Sequence, residues 1–296
     1  MLKNYIEKII YDMPNFYRSE LHKKCLNSDY KNSLIISFSF IKEAFSLYKY
    51  IDNFDVLYFS CESNVYYLSN VEAINSFMDM IIKEHNYTNV ILVGTSKGGF
   101  ASCLYGILLA KRLKDINFNA LSFSGRGGLL YPVNEHFLKN FENPFEYKRL
   151  LNIANENNKI LSDLQKYGNL ESLLQDKMDN IKIYAVAGKN EVADAYEVQR
   201  IAKYQNVKSF FVDISSHFSS MPFMLNNKDV ENIKRLKNLL MLSVFDYFNL
   251  KNDECKLNNI ANEMSSVVKN GNLRSLNEIF ELLAQGKEIS FTKDDK

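Results

Sequence analysis

The residues best suited to chemistry lie in a short glycine-rich stretch, Gly94-Thr95-Ser96-Lys97-Gly98-Gly99. An apolar run at 89–93 leads directly into it, and an apolar segment of helical period leaves it at 100–113. A G-x-S-x-G sequence between a strand and a helix is typical of a sharp turn that exposes a serine nucleophile. We therefore predict that Ser96 is a nucleophile. The alternative is a glycine-rich turn that binds a phosphate or only reverses the chain.

A serine hydroxyl becomes a good nucleophile when a base takes its proton, and histidine is the usual base. The chain has four histidines: His22, His85, His136 and His217. His217 comes three residues after the last predicted strand, in Ser215-Ser216-His217-Phe218. Its place late in the chain, at the end of a strand, predicts that His217 is the base.

A carboxylate that orients the histidine is expected after the preceding strand, in the stretch from Gly188 to Asp194. Two residues compete for this role. Glu191 stands three residues after the glycine at the strand end and is the favoured acid. Asp194 is the alternative, because Asp194 and Glu197 have the spacing of a helix capping box, which would explain Asp194 without catalysis.

Backbone amides near the nucleophile would hold the oxyanion of an acyl-transfer reaction. We expect one from Lys97 and a second from the loop after the first strand, around Ser39 and Phe40. A second glycine cluster, Gly125-Arg126-Gly127-Gly128, follows the fourth strand at the same edge of the sheet. Arg126 is a candidate for binding an anionic part of the substrate, with a flexible entry to the next segment as the alternative.

The elements that must position these residues alternate between strand and helix. Six short apolar runs predict strands at 33–40, 55–60, 89–93, 118–124, 181–187 and 207–214. Helical periods between them predict an α/β fold with a doubly wound, mostly parallel sheet. Outside this rhythm we expect an N-terminal helical segment at 1–32, a helical lid insertion at 129–180 within an α/β domain at 33–250, and a polar helical appendage at 251–296.

The composition argues against several kinds of function. The 296 residues carry a net charge of +1, which argues against non-specific nucleic-acid binding. No signal peptide or membrane-spanning stretch is evident, and the four scattered cysteines have no metal-ligand spacing, so we expect a cytoplasmic chain without a metal. Only 11 glycines and 4 prolines occur, so two glycine clusters are unlikely to be filler.

Together the Gly94–Gly99 motif, the acid after a later strand and His217 after the last one resemble the α/β-hydrolase superfamily over 33–248. The Gly-Thr-Ser-Lys-Gly-Gly form of the turn, with Leu-Ile-Ile-Ser-Phe-Ser on the early strand, is similar to a bacterial subset of that superfamily. The subset includes the accessory secretion protein Asp-two and capsule O-acetyltransferases of hydrolase fold. The Asp-two likeness implies a glutamate acid, which favours Glu191.

The resemblance implies a serine esterase that acts through an acyl-enzyme and needs no cofactor. A first alternative is an O-acyltransferase for a bacterial surface glycan, with acetyl-CoA as donor. A second is an inactive hydrolase-fold protein that docks a partner, or a second copy of itself, through 251–296.

Overall fold

The computed structural model describes residues 7–11, 17–23, 30–39, 45, 47, 50–61, 65–125, 145–243 and 253–293. Within these ranges the chain forms one eight-stranded sheet. The strands are β1 (Glu7–Tyr11), β2 (Tyr17–Lys23), β3 (Ser33–Phe38), β4 (Asp55–Cys61), β5 (Asn89–Thr95), β6 (Asn117–Phe123), β7 (Ile181–Gly188) and β8 (Val207–Val212). All six strands expected from the sequence are present, with ends that differ by one or two residues.

The strand order is β1-β2-β4-β3-β5-β6-β7-β8, and every neighbouring pair from β4 to β8 is parallel. Parallel strands are joined by crossovers that place helices on both faces, which explains why the inner strands read as continuous apolar runs. The predicted α/β class with a doubly wound, mostly parallel sheet is confirmed. Because parallel strands share one carboxyl edge, the segments after β5, β7 and β8 emerge on the same side.

The expected helical segment at 1–32 is wrong where the structure describes it. Strands β1 and β2 form an antiparallel hairpin, and β2 pairs with β4, so the sheet has eight strands rather than about six. The sequence pattern did not indicate β2, because polar residues interrupt its apolar positions. Glu20 and His22 are both buried in β2 and bond to each other at 2.8 Å, so two polar side chains occupy positions where a strand pattern predicts apolar ones.

One face of the sheet is covered by helices that come before β8 in the chain. They are α1 (Val71–Glu84), α2 (Lys97–Arg112), α3 (Phe145–Glu156), α4 (Asn158–Tyr167), α5 (Leu170–Leu173) and α6 (Val192–Ala202). Leu150, Ile160 and Leu164, from the expected lid insertion, are fully buried in the same core as α1 and α2. The Asp163 carboxylate accepts the N–H of Val71 at 3.1 Å, so the insertion also caps α1. Residues 129–144 of the insertion lie outside the described ranges.

The opposite face is covered by helices that follow β8: α7 (Met221–Met224), α8 (Asn227–Glu231), α9 (Ile233–Ser243), α10 (Glu254–Asn270) and α11 (Leu276–Ala284). The polar appendage expected at 251–296 does contain two helices, α10 and α11, but they belong to the core. Leu257, Met264 and Phe280 are buried in the same apolar cluster as Val93 of β5. The apolar faces of α10 and α11 are therefore internal.

No helix within the described ranges is both long enough and apolar enough to cross a bilayer.

We predict that Phe280→Ala lowers the free energy of unfolding by about 3–5 kcal/mol, because it leaves a cavity in the core between α11 and the sheet. Asn262→Ala, at an exposed position of α10, serves as the control and should change stability by less than about 0.5 kcal/mol. Urea unfolding followed by circular dichroism measures both. Equal, small effects would show that α11 is not part of the core.

Candidate active site

Ser96 stands at the turn between β5 and α2 with a backbone conformation that few serines adopt. Its φ of 59° and ψ of −123° lie outside the helical and extended regions, and its side chain is partly exposed. Its N–H donates to Phe123 O at 2.8 Å, and its carbonyl accepts the N–H of Phe100 at 3.1 Å. The turn is thus anchored to β6 on one side and starts α2 on the other. Strain of this kind, held by surrounding bonds, is common at functional sites.

The two flanking glycines are required by close contacts of the backbone. A Cβ on Gly94 would lie 2.3 Å from the carbonyl of Gly98. A Cβ on Gly98 would lie 2.3 Å from the carbonyl oxygen of Phe38, the last residue of β3. The sequence motif is therefore a steric requirement of this turn, and α2 begins in direct contact with the end of β3.

His217 lies in the loop after β8 and bonds to Asp194 rather than to Glu191. The distance from His217 Nδ1 to Asp194 Oδ2 is 2.6 Å. Asp194 is fully buried, while the His217 side chain is 16% exposed. A buried carboxylate is stable only when it is paired and hydrogen-bonded, so this contact accounts for the burial of Asp194.

Glu191, the acid favoured from the sequence, has a structural role instead. It is the N-cap of α6, and its Oε2 accepts the N–H of Asp194 at 2.6 Å. The capping box expected at Asp194 and Glu197 does not form, because the N-cap is Glu191 and α6 begins at Val192, three residues earlier than that box requires. Asp194 then falls in the first helical turn, and Glu197 pairs with Arg200 at 3.2 Å. The argument that explained Asp194 as a helix cap is therefore wrong.

Hydroxyl groups that the sequence did not point to join the loop that carries His217 to the turn that carries Ser96. Thr95 Oγ1 donates to Ser220 Oγ at 3.1 Å. Thr95 precedes Ser96 and Ser220 follows His217 by three residues, so this bond joins the two segments. Ser219 Oγ lies 2.8 Å from Ser124 Oγ at the end of β6. The serines that flank His217 in the sequence, at 215, 216, 219 and 220, could have indicated that hydroxyl groups hold this loop.

The other end of the histidine loop is held by the C-terminal helices. Ser215 donates its N–H to Glu263 Oε2 at 2.9 Å and its hydroxyl to Glu263 Oε1 at 2.5 Å. A Cβ on Gly188 would lie 2.8 Å from the carbonyl of Ser216, so β7 and this loop approach closely. His217 is therefore fixed from both sides.

The structure places the residues expected to hold the oxyanion in different surroundings. Lys97 is the first residue of α2, at the end of the helix where the dipole favours negative charge. Ser39 is not a donor, because its N–H bonds to Phe59 O at 2.8 Å. Phe40 lies outside the described residues.

The first residue of the second glycine cluster, Gly125, packs closely against α2. Gly125 stands against Gly99: a Cβ on Gly125 would lie 2.8 Å from the Gly99 carbonyl carbon, and a Cβ on Gly99 would lie 3.0 Å from the Gly125 Cα. Arg126 and the two glycines after it lie outside the described ranges. Within those ranges, no group of three His, Cys, Asp or Glu side chains is arranged to hold a metal ion.

No protein-family model matches the sequence, and no curated protein sequence is found to be similar to it. Solved structures do match. The chain is similar, with a TM-score of 0.50 and 14% identity, to a chain of the glycosylation-associated protein complex from Streptococcus agalactiae. The match covers 81% of this chain and 47% of that one, so this chain spans about half the length of that neighbour.

Two further solved structures are similar to this chain. A proline iminopeptidase-related protein from Thermus thermophilus matches with a TM-score of 0.45 and 11% identity, over 81% of this chain and 98% of the other. An esterase from Pyrococcus furiosus matches with a TM-score of 0.40 and 13% identity, over 71% and 82%. At these identities the likeness concerns the fold, not the reaction.

We predict that Gly98→Ala destabilises the protein by several kcal/mol, because its Cβ would lie 2.3 Å from Phe38 O, a backbone atom. Gly106→Ala, later in the same helix, is the matched control. Its Cβ would meet the flexible end of Ile181 at 3.2 Å, and alanine favours the helix by about 1 kcal/mol. Thermal unfolding compares the two variants. A Gly98→Ala protein as stable as Gly106→Ala would refute the steric account of the turn.

Proposed function

We propose that this chain, which has the α/β-hydrolase fold, is a serine esterase that forms an acyl-enzyme on Ser96. The observation that carries the proposal is the combination at one sheet edge of a strained, partly exposed serine and a buried Asp194–His217 pair. The hydrolase fold supports the class of reaction. The residue roles and the ester substrate are our proposal.

In this mechanism His217 takes the proton of the Ser96 hydroxyl as its oxygen attacks the ester carbonyl. Asp194 accepts the Nδ1–H of His217, which leaves Nε2 as the basic nitrogen and stabilises the imidazolium that forms. The oxyanion of the tetrahedral intermediate is held by amides that include the N–H of Lys97, at the positive end of α2.

The intermediate then collapses to the acyl-enzyme. His217 returns the proton to the alcohol as it leaves, and the acyl group stays on Ser96. In the second half, His217 takes a proton from water, the hydroxide oxygen attacks the acyl carbon, and Ser96 recovers its proton as the acid is released. In each half-reaction His217 accepts one proton and returns one, so the mechanism that we propose uses no cofactor.

Water is the acceptor we propose. A sugar hydroxyl in place of water would make the same machinery an O-acyltransferase, with acetyl-CoA as donor. Arg126, the residue expected to bind an anionic donor, lies outside the described residues. Consumption of acetyl-CoA that depends on an added glycan would favour the transferase, whereas hydrolysis of simple acetyl esters at the same rate with and without glycan favours the esterase.

We predict that a fluorophosphonate probe labels Ser96 in the native protein, because a serine activated by a base attacks phosphorus as it attacks an ester carbonyl. Ser96→Ala should abolish labelling, and His217→Ala should slow it greatly. Ser172→Ala, which removes an exposed serine, is the control and should label like the unmodified chain. Native protein that does not react would refute the enzyme proposal.

We predict that Asp194→Asn lowers kcat by about 10⁴, because the histidine loses its correct tautomer. Glu191→Ala should leave kcat nearly unchanged and cost about 1 kcal/mol of stability, since it removes a helix cap and leaves the Asp194–His217 bond in place. Ester hydrolysis and thermal unfolding of the two variants separate these roles. A large loss of kcat in Glu191→Ala, with little in Asp194→Asn, would reverse the assignment.

A further inference from the structure

A cleft of about 370 Å³ opens at the amino-terminal edge of the sheet, between the starts of β5, β6 and β7 and the end of α11. Asn89 lies six residues before Thr95 on β5, which at about 3.3 Å per residue puts the cleft ~20 Å from the Ser96 turn. The cleft is therefore separate from the proposed active site. Its wall includes four asparagines, at 89, 117, 119 and 180, and two lysines, at 182 and 287.

The cleft lies where one face of the sheet changes from apolar to polar. Asn89 is in register with Asn117, and Asn119 is in register with Lys182 of β7, so these side chains share one face. On the other face the same strand ends are apolar, and Phe118 is buried in the core there. The polar patch is thus a property of the face beside α11, and not of the strand ends in general.

Asn119 is a buried polar residue in an inner strand of the sheet. Its exposed fraction is 8%, and β6 has a neighbouring strand on each side. Within the part of the chain that the structure describes, its side chain forms one bond, from Nδ2 to Asn89 Oδ1, at the long distance of 3.5 Å. A buried amide usually forms more than one bond, because unmade bonds cost stability. Asn119 therefore presents a donor and an acceptor to the cleft that it lines.

Two other asparagines of the cleft are held at their nitrogen ends. Asn89 Nδ2 donates to Leu283 O in α11 at 3.0 Å. Asn180 Nδ2 donates to Leu113 O at 2.9 Å and to Ile116 O at 3.1 Å, just after α2. A side-chain amide is planar, so a held nitrogen also fixes the direction of the oxygen. Acceptors fixed in this way favour binding, because they lose little freedom when a ligand arrives.

The charges that line the cleft favour an anionic ligand. Lys182 and Lys287 are both exposed, and neither forms an ion pair among the described residues. Asp179 also lines the cleft, but its carboxylate lies 3.5 Å from the ammonium group of Lys177. The two lysines therefore leave a positive potential at the cleft, which attracts a negatively charged group.

We propose that this cleft binds a sugar that carries a carboxylate, with its hydroxyls on Asn119 and Asn180 and its carboxylate on Lys182 and Lys287. A sugar hydroxyl both donates and accepts, as an amide side chain does. The volume is at the lower end of the range for ligand sites, about 300–1,000 Å³. The site goes beyond the proposed function and does not depend on it.

The test is a titration of the full chain, followed by NMR of its nitrogen-bound protons, with glucuronate, galacturonate and N-acetylneuraminate as probes. We expect at least one probe to cause saturable shifts of the side-chain amide signals of Asn119 and Asn180. Glucose has the hydroxyls without the carboxylate, and acetate has the carboxylate alone. Each should bind about tenfold more weakly than the acidic sugar, because each lacks one set of contacts.

Variants locate the binding. Lys182→Gln should raise the Kd of the bound probe about tenfold, since it removes a charged donor. Asn119→Ala should raise it about fivefold. Lys189→Gln is the matched control, because Lys189 is exposed and follows the other end of β7. It should keep the Kd within about twofold, since a charge ~20 Å away is screened. Lys182 is exposed, so this variant should fold even if Asn119→Ala does not.

The absence of saturable shifts with all three acidic sugars would overturn the proposal. Acetate binding as tightly as the acidic sugar would overturn it too, because the site would then recognise an anion alone. Equal losses of affinity in Lys182→Gln and Lys189→Gln would contradict the location. None of these readouts involves ester hydrolysis, so the result is the same whether or not Ser96 forms an acyl-enzyme.

Discussion

The site depends on one steric constraint, the contact between the first turn of α2 and the end of β3. Gly98 lies so close to Phe38 O that a Cβ there would be 2.3 Å away, and Gly94 lies equally close to the Gly98 carbonyl. This proximity holds Ser96 in its strained conformation at the sheet edge. It also brings together Ser96, the N-terminus of α2 and the end of β3, where the Tyr67 hydroxyl donates to the Ser39 carbonyl. A larger residue at either glycine would separate all three.

A second dependence is electrostatic and links distant parts of the chain. Asp194 is buried in the first turn of α6, and a buried carboxylate without a partner would cost several kcal/mol. His217 supplies that partner, in a loop tied to β5 by Ser220 and to α10 by Ser215. The C-terminal helices therefore support the Asp194–His217 pair as well as one face of the sheet. Folding of the last forty residues and assembly of the proposed site are thus coupled.

The sequence was sufficient to predict the parts of the molecule that local pattern controls. Five of the six predicted strands, β3 to β7, are almost wholly buried, and the glycine turn has a steric signature, so the α/β class and the candidates Ser96 and His217 could be proposed. Glu191 was favoured over Asp194 in part because Asp194 was interpreted as the N-cap of α6, which is Glu191, three residues earlier. Which carboxylate bonds to His217 is decided by a tertiary contact that the local pattern does not report. The hairpin β1–β2 was missed because Glu20 and His22 pair inside the sheet.

Helices α10 and α11 were expected to form an appendage because polar residues outnumber apolar ones in α10. Their apolar residues nevertheless recur at helical spacing, as Leu276, Ile279 and Leu283 do, which is the pattern of a helix with one buried face. The bond from the Tyr67 hydroxyl to the Ser39 carbonyl spans 28 positions of sequence, and no spacing rule reports it.

The measurement that tests the central claim most directly is mass spectrometry of the protein quenched in acid during turnover of an acetyl ester. The account predicts a single acetyl group on the peptide that contains Ser96, accumulating faster than it is lost when a good leaving group is used. Turnover with the acetyl group on another residue, or turnover with no covalent intermediate at Ser96 even when deacylation is slowed by low pH, would contradict it.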